Sequence, residues 1–508
     1  MKCLWMKCLL WLSILCLVLS VTACATEPIP DRSEDDDGGH STVSTTTTTI
    51  EEVDMPTGST EEAESTTSAT DVAYGASTTA GVKGSNSSVK TTITTQFKTT
   101  MPKPSVTNGD MLDLALNAYT DLLNNWWIGD AKTGHFIASD NEPPSDTMWF
   151  LWEHAMAVFA LDSLYKATGY KEIYNRIVAE WEFIRQSYPS YITYVKVPDY
   201  FHYAQDDAGW NAMLYMLMYE YTGDTFALDA AGELIHNSYE HWKNGDLSNG
   251  LLYAHDLNDK GSRESAIWGV NPMLAAFDYL QYREDEQLLA DTITLYNWFE
   301  ENMLRDGAYE YTLYDGTKQT GYCDDMLYWG GYQQERAGHH VYIGPGGAEE
   351  PYRMEEAHSS VCLGGTMAMA VLHTRMYELT GEKRYQERAQ RTMRAIFDSP
   401  YLVKNGVFID AGDGWTNAAF MCQFVTEVMT LPSLQQKDVQ ILNNTANSIY
   451  GKARTQDGYY SASWSGPAED ADTPWGRMGW THDKIMTNAT SVHMIIAATL
   501  AESTGLSK

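Results

Sequence analysis

The chain has 508 residues, and its 34 basic against 68 acidic residues give a formal net charge of −34 at pH 7. This balance leaves no basic stripe to neutralise phosphates, so it excludes nucleic acid as a partner and favours a neutral or cationic polymer. The cysteines beyond residue 24 are an odd set without Cys-x-x-Cys spacing, which excludes a disulfide framework and a zinc knuckle. They are Cys323, Cys362 and Cys422.

Residues 1–23 predict the signal peptide of a bacterial lipoprotein. Lys2 and Lys7 precede an apolar run over residues 9–19, which is shorter than the roughly 20 residues of a spanning helix. The run ends in Val21-Thr22-Ala23-Cys24, which resembles the site where cleavage leaves a lipid-modified cysteine. We therefore expect a lipid anchor on Cys24 and a place on the bacterial cell surface or outer membrane. The alternative is an ordinary signal with a coincidental cysteine.

Residues 24–105 predict a disordered linker. The segment is poor in large apolar residues and rich in Ser, Thr and acids, as in Thr45-Thr46-Thr47-Thr48-Thr49. Such a composition buries too little apolar surface to offset the entropy of ordering the chain. As a flexible coil of roughly 80 residues it would reach about 50 Å, enough to hold a domain clear of a membrane.

Residues 106–508 predict one all-α domain. Apolar residues recur with helical periodicity in about twelve segments. The predicted starts are near Met111, Met148, Lys171, Asp206, Thr225, Ala266, Glu286, Ser359, Lys383, Thr416, Leu434 and Thr487. Twelve helices in six consecutive hairpins can close into an (α/α)6 barrel, in which long insertions such as 243–265 and 304–357 are loops rather than strands, some with short hairpins.

A Thr-Gly phrase recurs at the predicted ends of helices. It appears in 165–170, 219–224, 377–382 and 502–505. Glycine at the end of a helix adopts the left-handed conformation at little cost, and an acidic residue often starts the next helix. The repetition therefore indicates helical hairpins.

The stretch Gln205-Asp206-Asp207-Ala208-Gly209-Trp210 is the strongest candidate for a catalytic site. Two neighbouring carboxyl groups can divide the work of breaking a glycosidic bond, one as proton donor and acceptor and the other at the anomeric carbon. Tryptophans near helix starts or in loops offer flat faces for sugars, and Trp210, Trp268 and Trp415 are candidates. The structural alternative is that both aspartates cap a helix and interact with its dipole.

Other polar groups favour structural interpretations. Cys323-Asp324-Asp325 is a second acidic pair, which we interpret as part of a loop. His339, His340 and His358 lack partners at metal-ligand spacing, and the segment 410–415 lacks the last acidic ligand of an EF-hand. We therefore expect no metal site and no cofactor.

With these residues in view, the segment from about 107 to 504 resembles glycoside hydrolase family 76, the α-1,6-mannanases. The most specific element is Asp206-Asp207 with Trp210 and the phrase from Tyr219 to Asp224. The segment from Arg263 to Asn271 resembles the family's next inner-helix entry. The entry after that reads Ser360-Val361-Cys362-Leu363-Gly364-Gly365, where the family commonly has a Tyr-Asn-Gln-Gly phrase.

The resemblance implies an (α/α)6 barrel that cleaves α-1,6-linked mannan internally, with retention of anomeric configuration. Asp206 is then the nucleophile and Asp207 the general acid/base, with Trp268 and Asn271 among the substrate-binding residues. We expect a monomer whose partners are α-mannan and, through Cys24, a membrane. Two alternatives are another α-barrel carbohydrate enzyme, such as an unsaturated glucuronyl hydrolase or a glucanase, and a non-catalytic surface glycan-binding lipoprotein.

Overall fold

The computed structural model describes eleven helices and eleven strands in thirteen stretches of the chain. The described residues are 110–137, 151–187, 205–251, 264–266, 269–312, 318–329, 331–333, 339–341, 363–408, 435–461, 463–468, 482 and 484–502. The predicted signal, the predicted linker and Cys24 lie outside them. No helix among the described residues is both long enough and apolar enough to cross a membrane.

The described helices begin within four residues of their predicted starts. They are α1 (Asp110–Trp126), α2 (Leu151–Thr168), α3 (Lys171–Ser187), α4 (Gln205–Thr222), α5 (Thr225–Trp242), α6 (Val270–Leu280), α7 (Glu286–Asn302), α8 (Leu363–Thr380), α9 (Lys383–Asp398), α10 (Gln436–Lys452) and α11 (Ile485–Glu502). The helix predicted near Thr416 lies outside the described residues.

The helices form an inner and an outer layer. Helices α2, α4, α6, α8 and α11 are inner, since they are apolar or buried around most of their circumference; α11, for example, is buried from Ile485 to Ala501. The outer helices bury one face only, as α9 does with Tyr385, Ala389, Thr392, Met393, Ile396 and Phe397. A helix with apolar residues on all sides needs neighbours on all sides, and a one-sided helix can face water.

Each Thr-Gly phrase that the structure describes closes an inner helix, as predicted. Gly169, Gly223 and Gly381 have φ angles of 68°, 73° and 69°, in the left-handed region. In α4 the Thr222 hydroxyl donates to the Met218 carbonyl at 2.6 Å and accepts from the Asp224 N–H at 3.2 Å. The threonine thus links the last turn of an inner helix to the first residue of the turn, which explains why Thr precedes Gly in each copy.

The inner helices are parallel, with their starts at one end of the barrel. At the other end, the ring of Tyr165 near the end of α2 lies 5.6 Å from that of Tyr221 near the end of α4. Arg375 of α8 forms a 3.1 Å ion pair with Asp278 of α6, again near the ends of both helices. Short turns leave the ends of inner helices, whereas the long connections of the chain precede their starts. The long connections therefore enter the inner helices at the start end of the barrel, and functional groups are commonly found where loops meet such a scaffold.

The last helices pack against the first and close the ring. The Thr499 hydroxyl of α11 donates to the Met111 carbonyl of α1 at 2.9 Å. Arg454, after α10, forms two 2.7 Å hydrogen bonds with the carboxylate of Asp121 in α1. Tyr460 donates to the same carboxylate at 2.7 Å. Contacts between residues more than 300 positions apart thus complete the fold.

The insertions 243–265 and 304–357 were predicted to be loops rather than strands, and this is wrong, although the hairpins that the prediction allowed are present. The insertions contain β3 (Lys243–Asn244), β4 (Asp246–Leu251), β5 (Glu264–Ala266), β6 (Leu304–Thr312), β7 (Lys318–Tyr328), β8 (Gly331–Gln333) and β9 (His339–Val341). Strands β6 and β7 form a long antiparallel hairpin, and β5, β8 and β9 form a three-stranded sheet. Two-stranded hairpins also form from β1 (Trp127–Ile128) with β2 (His135–Phe136) and from β10 (Val403–Lys404) with β11 (Val407–Phe408).

The second acidic pair lies on strand β7, not in a loop as predicted. The Asp325 carboxylate accepts two hydrogen bonds from Arg305 Nε, at 3.0 and 3.1 Å, and one from Nη2 at 2.7 Å. The Arg305 guanidinium is buried and lies 4.4 Å from the ring centroid of Trp329. Asp324 is exposed on the same strand. Asp325 therefore adds a side-chain link between the two strands of the hairpin, beside their backbone pairing.

Candidate active site

The acidic pair lies in the first turn of inner helix α4, at the start end of the barrel. Asp206 is the second residue of α4 and Asp207 the third. The Asp207 residue is buried, with 8% of its surface exposed, whereas the side chain of Asp206 lies outside the described residues. Successive helical residues are separated by about 100° around the axis, so positions 206 and 207 lie on different sides of the helix.

Gly209 brings the start of α6 against the acidic pair. A Cβ atom at this glycine would lie 2.5 Å from Asn271 Cβ and 2.8 Å from Pro272 Cδ, distances that only a glycine avoids. The absence of a side chain at position 209 thus lets the two inner helices touch at their starts. Asn271, predicted as a substrate-binding residue, is placed next to the Asp206–Gly209 segment by this contact.

Two amides near the pair are buried without partners. Asn271 is fully buried, and Asn211, one turn beyond Asp207 on the same face of α4, is 1% exposed. Neither the Oδ1 nor the Nδ2 atom of either side chain has a hydrogen-bond partner among the described residues. Buried polar groups in native proteins are normally paired, so unpaired amides at one end of a barrel point to a ligand or water there.

The other inner helices add polar groups at the same end. Thr366 is the fourth residue of α8 and Thr487 the third of α11, and both hydroxyls are buried without a partner among the described residues. In the sequence each threonine lies in an apolar helical segment, and nothing there marks it as a candidate functional residue. Only the parallel arrangement of the inner helices shows that these residues share one end.

Glu153 is an acid that the sequence analysis missed. It is the third residue of α2, the position that Asp207 holds in α4. Burial raises the pKa of its carboxyl group from 4.5 to about 8, while the charge of Lys484, just before α11, acts in the opposite direction. The neighbouring His154 anchors α2 through a 2.5 Å contact between its Nδ1 and Oε1 of Glu180 in α3. The sequence does contain a signal for Glu153, since Glu153 and Asp207 occupy the same position in the inner helices of two consecutive hairpins.

Of the three tryptophans predicted to stack on sugars, the structure describes only Trp210, and this residue is buried. Trp210 is 1% exposed and lies 6.3 Å from Phe159 of α2, centroid to centroid, so its ring belongs to the core rather than to an open sugar platform. It is buried because α4 is surrounded by neighbours on all sides. Trp329 and Trp464, which lie outside the helices, are also buried. Trp268 and Trp415 lie outside the described residues, and stacking on them stays a prediction.

In the part of the chain that the structure describes, no group of three or more His, Cys, Asp or Glu residues is arranged to hold a metal ion. The side chains of His339 and His340 on β9, His358, and the segment 410–415 lie outside that part.

The fold was compared with known proteins. No family model and no curated protein matches the sequence. Among solved structures, the GH76A α-1,6-mannanase from Salegentibacter sp. HEL1_6 is similar, with a TM-score of 0.55 and 15% identity over 77% of this chain and 100% of that chain. The Lin0763 protein from Listeria innocua is similar at a TM-score of 0.54 and 14% identity, over 79% of this chain and 99% of that chain.

A further similar structure is an inactive variant of the Salegentibacter α-1,6-mannanase, in which two consecutive aspartates are replaced by asparagine, in complex with α-1,6-mannotriose. It covers 77% of this chain and 100% of its own, at a TM-score of 0.53 and 14% identity. At these identities the similarity concerns the fold alone. The helical domain of this chain therefore has the fold of the family 76 glycoside hydrolases.

Proposed function

We propose that this chain is a glycoside hydrolase that cleaves α-1,6-mannosidic linkages within mannan-type polysaccharides. The observation that carries the proposal is the pair Asp206-Asp207 in the first turn of inner helix α4, at the barrel end that also gathers unpaired buried amides and hydroxyls. Support for the substrate comes from the structural neighbour, an α-1,6-mannanase whose inactive variant lacks two consecutive aspartates and binds α-1,6-mannotriose.

In the proposed reaction each aspartate has one role. The carboxylate of Asp206 attacks the anomeric carbon of a mannosyl unit, while the carboxyl group of Asp207 gives its proton to the departing glycosidic oxygen. Asp207 then removes a proton from water, which displaces Asp206 and releases the sugar. Adjacent positions in one helical turn suit the roughly 5 Å separation of retaining enzymes better than the wider gap that an inverting enzyme needs for a water molecule. Two displacements at one carbon restore its configuration.

The test of this proposal is a glycan screen followed by product analysis. We expect the domain to release new reducing ends from α-1,6-mannan, and NMR before mutarotation to show the α-anomer first. Release only from another polymer would favour a different α-barrel enzyme such as a glucuronyl hydrolase or glucanase, and binding without release would favour a glycan-binding lipoprotein. An initial burst of β-anomer would contradict Asp206 as the nucleophile and require a more distant carboxylate as base.

We also propose that the enzyme is held at the bacterial cell surface by a lipid on Cys24, as the sequence Val21-Thr22-Ala23-Cys24 suggests. The unmodified chain should incorporate labelled fatty acid and partition into detergent, because two or more acyl chains give stable membrane attachment. Cys24→Ser should abolish the labelling. Labelling that survives this substitution would contradict the anchor.

A further inference from the structure

Glu153 is buried at the start end of the barrel in a way that the fold itself does not need. Only 8% of the surface of Glu153 is exposed, and its Oε2 atom has no hydrogen-bond partner among the described residues. Burying a polar atom without a partner costs free energy, which an apolar residue at the same position would avoid. The contact that links α2 to α3 is made instead by the next residue, His154, with Oε1 of Glu180. The other oxygen of Glu180 accepts a hydrogen bond from the Phe136 N–H at 2.8 Å.

The surroundings of Glu153 belong to the same end of the barrel as the acidic pair. Lys484 lies close enough for its charge to act on the Glu153 carboxyl group. Asn488 fixes the chain there, since its side-chain amide donates to the carbonyl groups of Lys484 and His482 at 2.8 and 2.7 Å. On the other side α2 packs against α4, which carries Asp207 at the equivalent helix position. Glu153 therefore lies near Lys484 at the start of α11, on a helix that packs against both α11 and α4.

We propose that Glu153, with Lys484 beside it, forms a sugar-binding subsite adjacent to Asp207 and hydrogen-bonds a hydroxyl group of the bound glycan. This inference rests on the proposed glycoside hydrolase function and assigns to it a third acidic residue, one that binds substrate rather than taking part in bond cleavage. The unpartnered side chains of Asn211 and Asn271, each at least nine-tenths buried at this barrel end, are the second observation that points to a polar ligand.

The chemistry of a neutral carboxyl group suits this role. Burial raises the pKa of Glu153 to about 8, so near pH 7 the group keeps its proton and can both donate and accept a hydrogen bond. A sugar hydroxyl group also donates and accepts, so one neutral carboxyl group can satisfy it twice. A neutral group also adds no negative charge beside the attacking carboxylate.

Two substitutions at this position separate a binding role from a structural one. Glu153→Gln keeps a neutral group that donates and accepts, so KM for α-1,6-mannotetraose should stay within about threefold of the unmodified enzyme. Glu153→Leu removes the hydrogen bond, and KM should rise by at least about tenfold while kcat changes by less than about threefold. The melting temperature of the Leu variant should not fall, because an unpaired buried oxygen is removed.

Thr392→Val is the matched control. Its hydroxyl is also fully buried without a partner among the described residues, but it lies on outer helix α9, away from the starts of the inner helices. This variant should keep KM unchanged. An unchanged KM in Glu153→Leu, or a rise in KM in Glu153→Gln as large as in Glu153→Leu, would overturn the subsite.

The proposed function and the subsite fail in different ways. An unmodified chain that cleaves another glycan but not mannan overturns the mannanase assignment, and the three variants are then compared on that glycan. A chain that binds no glycan overturns both proposals. Normal cleavage of α-1,6-mannan by the Glu153→Leu variant, with wild-type KM, overturns the subsite alone.

Discussion

Replacing Asp207 with asparagine should lower kcat on α-1,6-mannan by at least about 10³-fold, and replacing Asp206 with asparagine should do the same. Asparagine keeps the size of the side chain but can neither give up a proton to the leaving oxygen nor attack as a carboxylate. Both positions lie in the first turn of α4, and Asp207 is buried at the end of the barrel where the inner helices start. The measurement is the initial rate of reducing-end release.

The control for this experiment is Asp324→Asn, which changes an exposed aspartate of the other acidic pair. It should leave kcat within about twofold of the unmodified enzyme, because surface substitutions away from a site have small effects. Circular dichroism and thermal melting should show that all three variants are folded. Full activity in Asp206→Asn and Asp207→Asn, with loss in Asp324→Asn, would mean that the active site is misplaced.

Asp325→Asn should lower the free energy of unfolding by about 2 kcal/mol, since it leaves the buried guanidinium of Arg305 without the charge of its half-buried partner. The affected partner is Arg305, which is 1% exposed and makes its hydrogen bonds to both Asp325 oxygens. The Asp325→Asn variant should lose stability only, and kcat of the folded enzyme should be unchanged.

Urea unfolding of Asp325→Asn and Asp324→Asn side by side provides the comparison. The two aspartates are neighbours on β7, but only Asp325 has its oxygens on Arg305. The Asp324 variant should be within about 0.5 kcal/mol of the unmodified protein. Equal unfolding midpoints for the two variants would show that the ion pair contributes nothing to the hairpin.

Much of the helical fold could be predicted from the sequence, because its signals are local. Apolar periodicity predicts the position of each described helix, and the Thr-Gly phrases predict where inner helices end. The positive φ angles of Gly169, Gly223 and Gly381 confirm these ends. The hairpin of β6 and β7 was missed although Tyr309, Tyr311 and Thr312 favour strands. Gly- and aromatic-rich insertions resemble loops in composition, although the β6–β7 pairing is local. The pairing of β5 with β8 joins Glu264 to Gln333, which are far apart in the chain, so no local signal predicts it.

The candidate site was predicted in part, for a similar reason. Adjacent acids such as Asp206 and Asp207 are visible in the sequence, whereas Glu153 reads as an ordinary first-turn acid that opposes a helix dipole. Its burial depends on α4 and α11, and α11 is separated from it by more than 300 residues. Trp210 was expected to be an open platform, but inner helices have neighbours on all sides, and their aromatic residues face inward.

The contacts between α11 and α1 have a consequence for the synthesis of this protein. Among the described helices α11 is the last to be synthesised, and until it is made the apolar faces of α1 and α2 that it covers lack this partner. Domains with such end-to-end contacts cannot complete their cores during translation, and partly made chains expose apolar surface that promotes aggregation. A chain that stops before Ile485 should therefore be recognised by chaperones and proteases. Incomplete chains would then be degraded before they accumulate.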